Sequence, residues 1–433
     1  MTYDVVVIGG GPGGSTAGAL AARRGKKVLI LEREKFPRFH VGESLIPFGN
    51  EVLAASGAWP KVEQAGFIVK PGADFTLGNS KGMLRLWFAR SLSPRFPTTF
   101  QVERSKFDDL LLRHAADSGC EVREEAKVES VTLGEGAAPH RLAYRHEGES
   151  RTVEARWIVD ASGRDAFLGR QLGLPKTDLG MAKRFATFAH FHGVLRNEGA
   201  AGGNITIVRL QDAWFWFIPL DAEKTSVGLV QRLDAFKASG LTPQASFDQA
   251  VAGSLELRYR LKKAERVGEF YTAGDYTYRH HVMAGERWIL VGDAAGFIDP
   301  IFSSGVMIAL RTAWIADAAM ERADAAGRGL SCGERTGYLR QVRKMTNLFL
   351  KLIRAYYDNS SFELFMNPTK WLDLTAAVNS LVSGNTRFHF GLWWRVHLFF
   401  VLCRLQKHFK IAPHLDFSDR PAPARAQASA PGS

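Results

Sequence analysis

Cysteine is scarce in this chain: three residues in 433, Cys120, Cys332 and Cys403, with no CxxC pair. That excludes a disulfide framework and a zinc module, so no metal site is expected and a reducing, cytoplasmic location is the default. A chain of this length buries a large core without either device. Long apolar runs are also missing. The longest, residues 388–405, is broken by Arg395, His397 and Arg404, whereas a spanning helix needs about 20 predominantly apolar residues. The start lacks the basic residues of a secretory signal and runs through Asp4-Val5-Val6-Val7-Ile8 straight into glycines, so no signal peptide is expected. No internal repeat and no nucleic-acid motif is visible, and nucleic acid is not an expected partner. Acidic residues are the minority, 44 against 56 Lys and Arg, for a net charge of +12. The last 49 residues hold seven Lys or Arg against two Asp. That balance suits anionic cofactors, acidic carrier proteins or phospholipid.

The patterning present is that of an α/β protein. Residues 5–8 and 28–31 read as buried parallel strands, with an Ala-rich crossover helix over 15–24 between them. Ser105, with Asp108 three residues on and Phe107, Leu110, Leu111 and Leu112 behind it, reads as a helix cap. Residues 122–131 and 156–160 read as strands, the latter ending in the turn Asp160-Ala161-Ser162-Gly163. Open α/β sheets bind ligands at such carboxyl ends. From 184 to 233 the sequence alternates as in an antiparallel sheet. Residues 288–291 return to a buried parallel strand, and 306 onward is helical. Helices follow 335, and the Pro-, Ala- and Ser-rich residues 421–433 read as a disordered tail.

Gly9-Gly10-Gly11-Pro12-Gly13-Gly14 contains G-x-G-x-x-G directly after a strand and before a helix. Gly9, Gly11, Gly13 and Gly14 let backbone approach a pyrophosphate, whose charge sits at the helix N-terminus. Glu32, ending the second strand and followed by Arg33, is placed for a ribose hydroxyl. A late Gly292-Asp293, together with Arg104 in Gln101-Val102-Glu103-Arg104 and Asp160-Ala161-Ser162-Gly163-Arg164, resembles the FAD-contacting elements of two-dinucleotide-binding flavoproteins of the glutathione-reductase and hydroxylase type. That resemblance spans most of residues 1–330 and implies FAD. No second G-x-G-x-x-G marks a dedicated NAD(P)H domain.

Three further motifs narrow the resemblance. Trp214-Phe215-Trp216-Phe217-Ile218-Pro219 matches W-x-W-x-I-P, and Phe297 to Gly305 matches F-x-x-P-x-x-S-x-G through Pro300 and Ser303. Gly66-Phe67-Ile68-Val69-Lys70-Pro71-Gly72-Ala73 carries a lysine, and His40-Val41-Gly42-Glu43-Ser44-Leu45 is similar to a flavin loop. Together these resemble the flavin-dependent halogenases. The resemblance implies FADH2- and O2-dependent chlorination or bromination through hypohalous acid, with chloride or bromide as co-substrate, Lys70 as the catalytic amine and a separate flavin reductase as partner. It also implies flavin contacts from Gly42, Glu43, Ser44, Arg104, Asp293, Pro300, Gly305 and Val306. Free N–H groups where 303–305 open a helix point to Ser304 and Gly305 as halide neighbours. Trp214 and Trp216, spaced by two, share one strand face, and with Pro219 they are expected to wall flavin from substrate. An ammonium at Lys70 can donate a hydrogen bond to hypohalous acid, and a neutral amine can form a haloamine; burial favours the second. The alternative for Lys70 is an ordinary exposed lysine.

Halogenases of free tryptophan carry Glu where this chain has Phe302. That departure favours an electron-rich phenol- or pyrrole-like substrate, free or on an acyl or peptidyl carrier protein. The other readings are a flavin monooxygenase or geranylgeranyl-reductase-like enzyme, and a non-catalytic flavin-binding partner in a biosynthetic complex. The expected organisation is a discontinuous FAD-binding domain (1–75, 100–180, 270–330), an antiparallel-sheet substrate region (76–99, 181–269) and a helical C-terminal region (331–420). Residues 393–400, with Arg404, Lys407 and Lys410, read as a helix packed over the catalytic domains, or as a docking surface for a membrane or acidic carrier protein.

Overall fold

The computed structural model describes residues 1–418 apart from Tyr276, residues 368–370 and Phe388; the tail expected at 421–433 lies outside the described residues. Val5, Val6, Val7 and Ile8 are all buried, as a strand covered on both faces requires. They belong to Thr2–Ile8, which pairs in parallel with Val28–Leu31 on one side and with the end of Glu149–Asp160 on the other. Glu121–Arg123 adds to one edge, and Trp288–Leu290 pairs in parallel with the last residues of Glu149–Asp160. The first half of Glu149–Asp160 instead pairs antiparallel with His140–His146, which pairs with Lys127–Thr132. One long strand thus joins the parallel sheet to an antiparallel meander. The Pro12–Arg23 helix opens three residues before the expected 15–24, because Gly11 caps it and Pro12 fits the first turn.

The second sheet runs Glu265–Asp275, Arg184–His192, Thr225–Arg232, Ala213–Pro219, Ile205–Arg209, Gly72–Leu77, Met83–Trp87. All its pairs are antiparallel except one: Ile205–Arg209 runs parallel to Gly72–Leu77. The reason is topological, since those strands are far apart in sequence and no hairpin joins them. Ile68–Lys70 pairs antiparallel with Thr99–Gln101, with Lys70 opposite Thr99.

Two local expectations are corrected. Ser105 does not cap the Arg104–Asp117 helix; Glu103 holds the cap position, and the Ser105 hydroxyl donates to Glu103 Oε1 at 3.2 Å. The 122–131 stretch is two strands, interrupted by Glu125 in the left-handed region (φ 54°). Further on, Ser331 and Glu334 form a capping box that starts the Cys332–Tyr357 helix. In the Phe390–Gln406 helix, Leu392, Val396, Phe399, Cys403 and Gln406 form a buried stripe. The expected cover is therefore one-sided, because Phe390, Trp393, Val401 and Leu405 on the outer face stay exposed. Among the described residues no helix is long and apolar enough to cross a membrane.

Candidate active site

A cavity of about 720 Å³ opens where the two sheets meet, large enough for a cofactor with space beside it. Its floor is the glycine turn. Gly9 has φ +101°, and a Cβ there would lie 2.6 Å from the Ala161 carbonyl oxygen; a Cβ on Gly14 would lie 1.9 Å from the Gly9 oxygen. Only glycine lets strand, turn and helix close this tightly. Gly11 and Gly13 face the same cavity. Glu32 is buried, with Oε2 accepting from the Gly10 N–H at 2.6 Å and Oε1 from Glu34 N–H at 2.9 Å. Arg33 also lines the cavity, half-exposed and paired with Asp165.

Opposite the turn, Arg104 grips Asp108 through two bonds of 2.7 and 2.8 Å and donates to the Val41 carbonyl at 2.9 Å. Arg38 joins Asp108 at 3.3 Å. One buried carboxylate therefore orients two cavity-lining guanidiniums. Asp293 sits across from them, its carboxyl pushed up to about 6 by burial, with Arg164 and Arg104 pulling the other way. Glu43 Oε1 accepts from His190 Nε2–H at 2.9 Å, and its second carboxylate oxygen is buried without a partner among the described groups.

The Ser304–Ala325 helix points its N-terminus at the cavity. Asp299 Oδ1 accepts from the Ile301 N–H at 3.0 Å, and Ser303 takes a left-handed φ of +56°, strain of the kind found at functional sites. Ser303, Gly305 and Val306 line the cavity, whereas Ser304 is buried beside it. A Cβ on Gly305 would meet nothing within 4 Å; it would instead occupy cavity space. Pro300 lines the cavity too.

Trp214 and Trp216 share the inner face of Ala213–Pro219, their rings 6.0 Å apart, and both line the cavity. Trp216 donates to Ser226 Oγ at 3.1 Å and fills the space a side chain at Gly228 would need, the Gly228 Cβ position being 2.2 Å from the indole. Trp214 donates to the Tyr357 hydroxyl at 2.9 Å, which donates to Asp299 Oδ2 at 2.9 Å. Arg184 stacks on the Tyr357 ring, 3.4 Å from its centroid. A C-terminal tyrosine thus ties the tryptophan wall to the turn that starts the helix. Pro219 ends the strand and is not among the lining residues, which stop at Ile218.

Lys70 is fully buried, its Nζ donating to Ser44 Oγ at 2.8 Å and to the Leu45 carbonyl at 2.7 Å, 5.3 Å from the Phe88 ring centroid. With no carboxylate beside it, burial lowers its pKa to about 7. Lys70 does not itself line the cavity; Ser44 and Gly42 do. Ser44, which accepts from the amine and lines the cavity, is the contact between the two.

These residues fit a dinucleotide flavin: a glycine-lined helix N-terminus for its pyrophosphate, Glu32 for a ribose and two oriented arginines. Comparison with known proteins agrees. The FAD binding domain family matches residues 2–315. The chain is 34% identical over 411 residues to 1H-pyrrole-2-carbonyl-[peptidyl-carrier protein] chlorinase of Pseudomonas fluorescens, covering 89% of this chain and 90% of that one. It belongs to the flavin-dependent halogenases. Among solved structures, a flavin-dependent brominase superposes on this halogenase with TM-score 0.83 at 30% identity, over 94% of this chain and all of that one. A flavoprotein/dehydrogenase from Cytophaga hutchinsonii gives TM-score 0.86 at 28% identity, over 94% and 99%. FAD is therefore the cofactor of this halogenase. Asp108, read from sequence only as the partner of a Ser105 cap, instead pairs with Arg104, and His190, Arg184 and Tyr357 are not expected from sequence. Asp108 had a signal, its i+4 spacing from Arg104; the others act across the fold and had none.

Proposed function

We propose that this halogenase chlorinates or brominates an electron-rich ring of pyrrole or phenol type, carried as a thioester on a carrier protein, with Lys70 conveying the electrophilic halogen. The buried, uncompensated amine behind Ser44 carries this reading. Bound FAD, reduced by a separate flavin reductase, supplies with O2 the oxidising power that turns halide into an electrophile. The chain's own groups do the rest. Gly305 and Ser304 open a helix whose free N–H groups favour an anion, so they hold halide beside the flavin. Trp214, Trp216 and the loop 40–45 keep water and substrate from the flavin face. A neutral Lys70 amine turns its two hydrogens toward Ser44 and Leu45, which leaves the lone pair free to attack hypohalous acid: the nitrogen–halogen bond forms as the halogen–oxygen bond breaks, and one amine proton leaves with the hydroxide as water. The ring then attacks that halogen: the carbon–halogen bond forms as the nitrogen–halogen bond breaks, and the proton the ring loses goes to the nitrogen and restores the amine.

The carrier-bound substrate is supported by the activity of the Pseudomonas relative and by Phe302, which is buried against Phe75 and Tyr356 and offers no carboxylate to an indole. The test supplies FAD, a reductase, bromide and pyrrolyl or phenolic thioesters on a carrier protein, beside the free acids. Bromine should appear in the carrier-bound product and vanish with Lys70→Ala. Hydroxylated product, or turnover indifferent to halide, would refute the reading and favour a flavin monooxygenase or reductase.

A further inference from the structure

Away from the cavity, three guanidiniums converge on one carboxylate. Glu51, buried in the first turn of Asn50–Ser56, receives Arg387 Nη2 at 2.5 Å, Arg311 Nη1 at 3.2 Å and Arg95 Nη1 at 3.8 Å. One carboxylate balances one of them, which leaves a surplus of two positive charges in this cluster among the described residues. The repulsion registers at Arg311, whose pKa is lowered by burial and by Arg387 while Glu51 raises it. Arg311 and Arg387 also lie against the Phe48 ring, 4.2 and 5.6 Å from its centroid. A structural ion pair needs one arginine; here three distant parts of the chain each supply one. Arg95 and Arg387 have 65% and 47% of their side chains in solvent, so the surplus faces outward over a carboxylate floor.

Two hydrogen-bonded segments lead from the catalytic amine to this bowl. Lys70 holds the Leu45 carbonyl, six residues before Glu51. Lys70 also pairs with Thr99, whose hydroxyl donates to Asn50 Oδ1 at 2.9 Å, while Asn50 Nδ2 donates to the Thr98 carbonyl at 2.9 Å. Even fully extended, these stretches put Arg95 within about 14 Å of Thr99, and Glu51 within about 21 Å of Leu45. The bowl is therefore tied to the lysine by short stretches of chain, within the span of a long flexible arm.

We infer that Arg95, Arg387 and Arg311 form a phosphodiester-binding site that receives the phosphate of the pantetheine arm on which a carrier protein presents its thioester. This rests on the carrier-bound reading above. Guanidiniums bind phosphate oxygens through paired, charge-assisted hydrogen bonds, and fixing the phosphate at the rim lets the arm run inward with the ring at its tip.

The experiment titrates pantetheine 4′-phosphate, unphosphorylated pantetheine and inorganic phosphate into the FAD-loaded protein by calorimetry. The variant is Arg95→Gln with Arg387→Gln, which keeps Arg311 on Glu51 and so keeps the buried charge paired. The phosphorylated compound should bind about tenfold or more tighter than pantetheine, with inorganic phosphate competing, and the double variant should lose that margin. In turnover, the variant should raise KM for a carrier-bound ring about tenfold at unchanged kcat, and leave a ring on unphosphorylated pantetheine unaffected. Equal binding of pantetheine phosphate by both proteins overturns the site, as does an equal loss on both substrates. So does arginine-dependent binding to phosphatidylglycerol vesicles without any to pantetheine phosphate. If the wild type binds pantetheine phosphate through these arginines yet halogenates no carrier-bound ring, the substrate reading fails and the site stands. If carrier-bound rings are halogenated with kinetics indifferent to the variant, the site fails and the reading stands.

Discussion

Lys70→Met tests the state of the buried amine directly. Burial lowers the lysine from 10.5 to about 7, so the folded protein binds fewer protons than the unfolded chain between those values. The sign follows from linkage: stability contributed at Lys70 rises with pH across that window and is lowest below pH 7, where both states are protonated. At about 1.4 kcal/mol per pKa unit, the full penalty below pH 7 is on the order of 5 kcal/mol. Lys70 is only 1% exposed, so solvent screening does not discount it. Between pH 6 and 9, the stability of the wild type should gain about 2–3 kcal/mol relative to Lys70→Met. Subtracting the variant removes every other titration. Chemical unfolding at several pH values supplies the difference, and the carbon shift of ε-13C-labelled lysine, assigned by its absence in the variant, gives the pKa itself. A flat stability difference, or a Lys70 signal titrating near 10.5, would refute both the buried environment and the lone-pair chemistry built on it. In turnover, kcat should rise through about pH 7 to a plateau as the amine loses its proton; a fall over that range would favour the ammonium as hydrogen-bond donor to hypohalous acid.

Other outcomes follow from single contacts. Gly228→Ala places a methyl where the Trp216 indole lies; displacing that ring should uncouple flavin oxidation from halogenation, seen as hydrogen peroxide rising against halogenated product at little cost in FAD affinity. Tyr357→Phe removes the hydroxyl between Trp214 and Asp299 and should act the same way more weakly, costing about 1–3 kcal/mol of stability by thermal unfolding because buried polar partners lose a bond. Asp108→Asn leaves Arg104 buried without its counter-charge, and should lower stability by about 3–5 kcal/mol and weaken FAD binding, measured by flavin fluorescence. Gly305→Val should fill cavity space and weaken FAD binding while the apoprotein unfolds normally by circular dichroism.

What was legible in the sequence is what local chemistry encodes. The strand, glycine turn, helix and Glu32 lie within one short stretch, and each residue's type there is dictated by backbone geometry or by an anion at a helix end. The motifs around Trp214, Lys70 and Ser303 are likewise local; the fold brings the first and last to one cavity and places Lys70 behind Ser44, which lines it. The lysine's surroundings were not local. A run of Ile68-Val69-Lys70-Pro71 is equally consistent with an exposed edge strand, and only pairing with Thr99–Gln101 and closure of the loop 40–45 buries the amine. The parallel joint between Ile205–Arg209 and Gly72–Leu77 is not encoded locally for the same reason: alternation reports which face is buried, not which neighbour a strand will take.

The Asp299–Tyr357–Trp214 chain links these scales. Asp299 caps the turn ahead of the Ser304–Ala325 helix with one oxygen and holds Tyr357 with the other. Any shift of the helix N-terminus therefore pulls on the wall tryptophan, and the carboxylate cannot release one partner without loosening the other. Tyr357 comes from the last turn of Cys332–Tyr357, outside the residues that match the FAD binding domain. The C-terminal region thus braces the cavity wall through Trp214 and is not only a cover over it. Truncation before residue 331 should accordingly destabilise the cavity wall far more than Tyr357→Phe does, because Met345, Phe349, Ile353 and Tyr356 pack in one core with Trp214 and Trp216 and would be lost together with the Tyr357 hydroxyl, read as a lower unfolding temperature of the truncated protein.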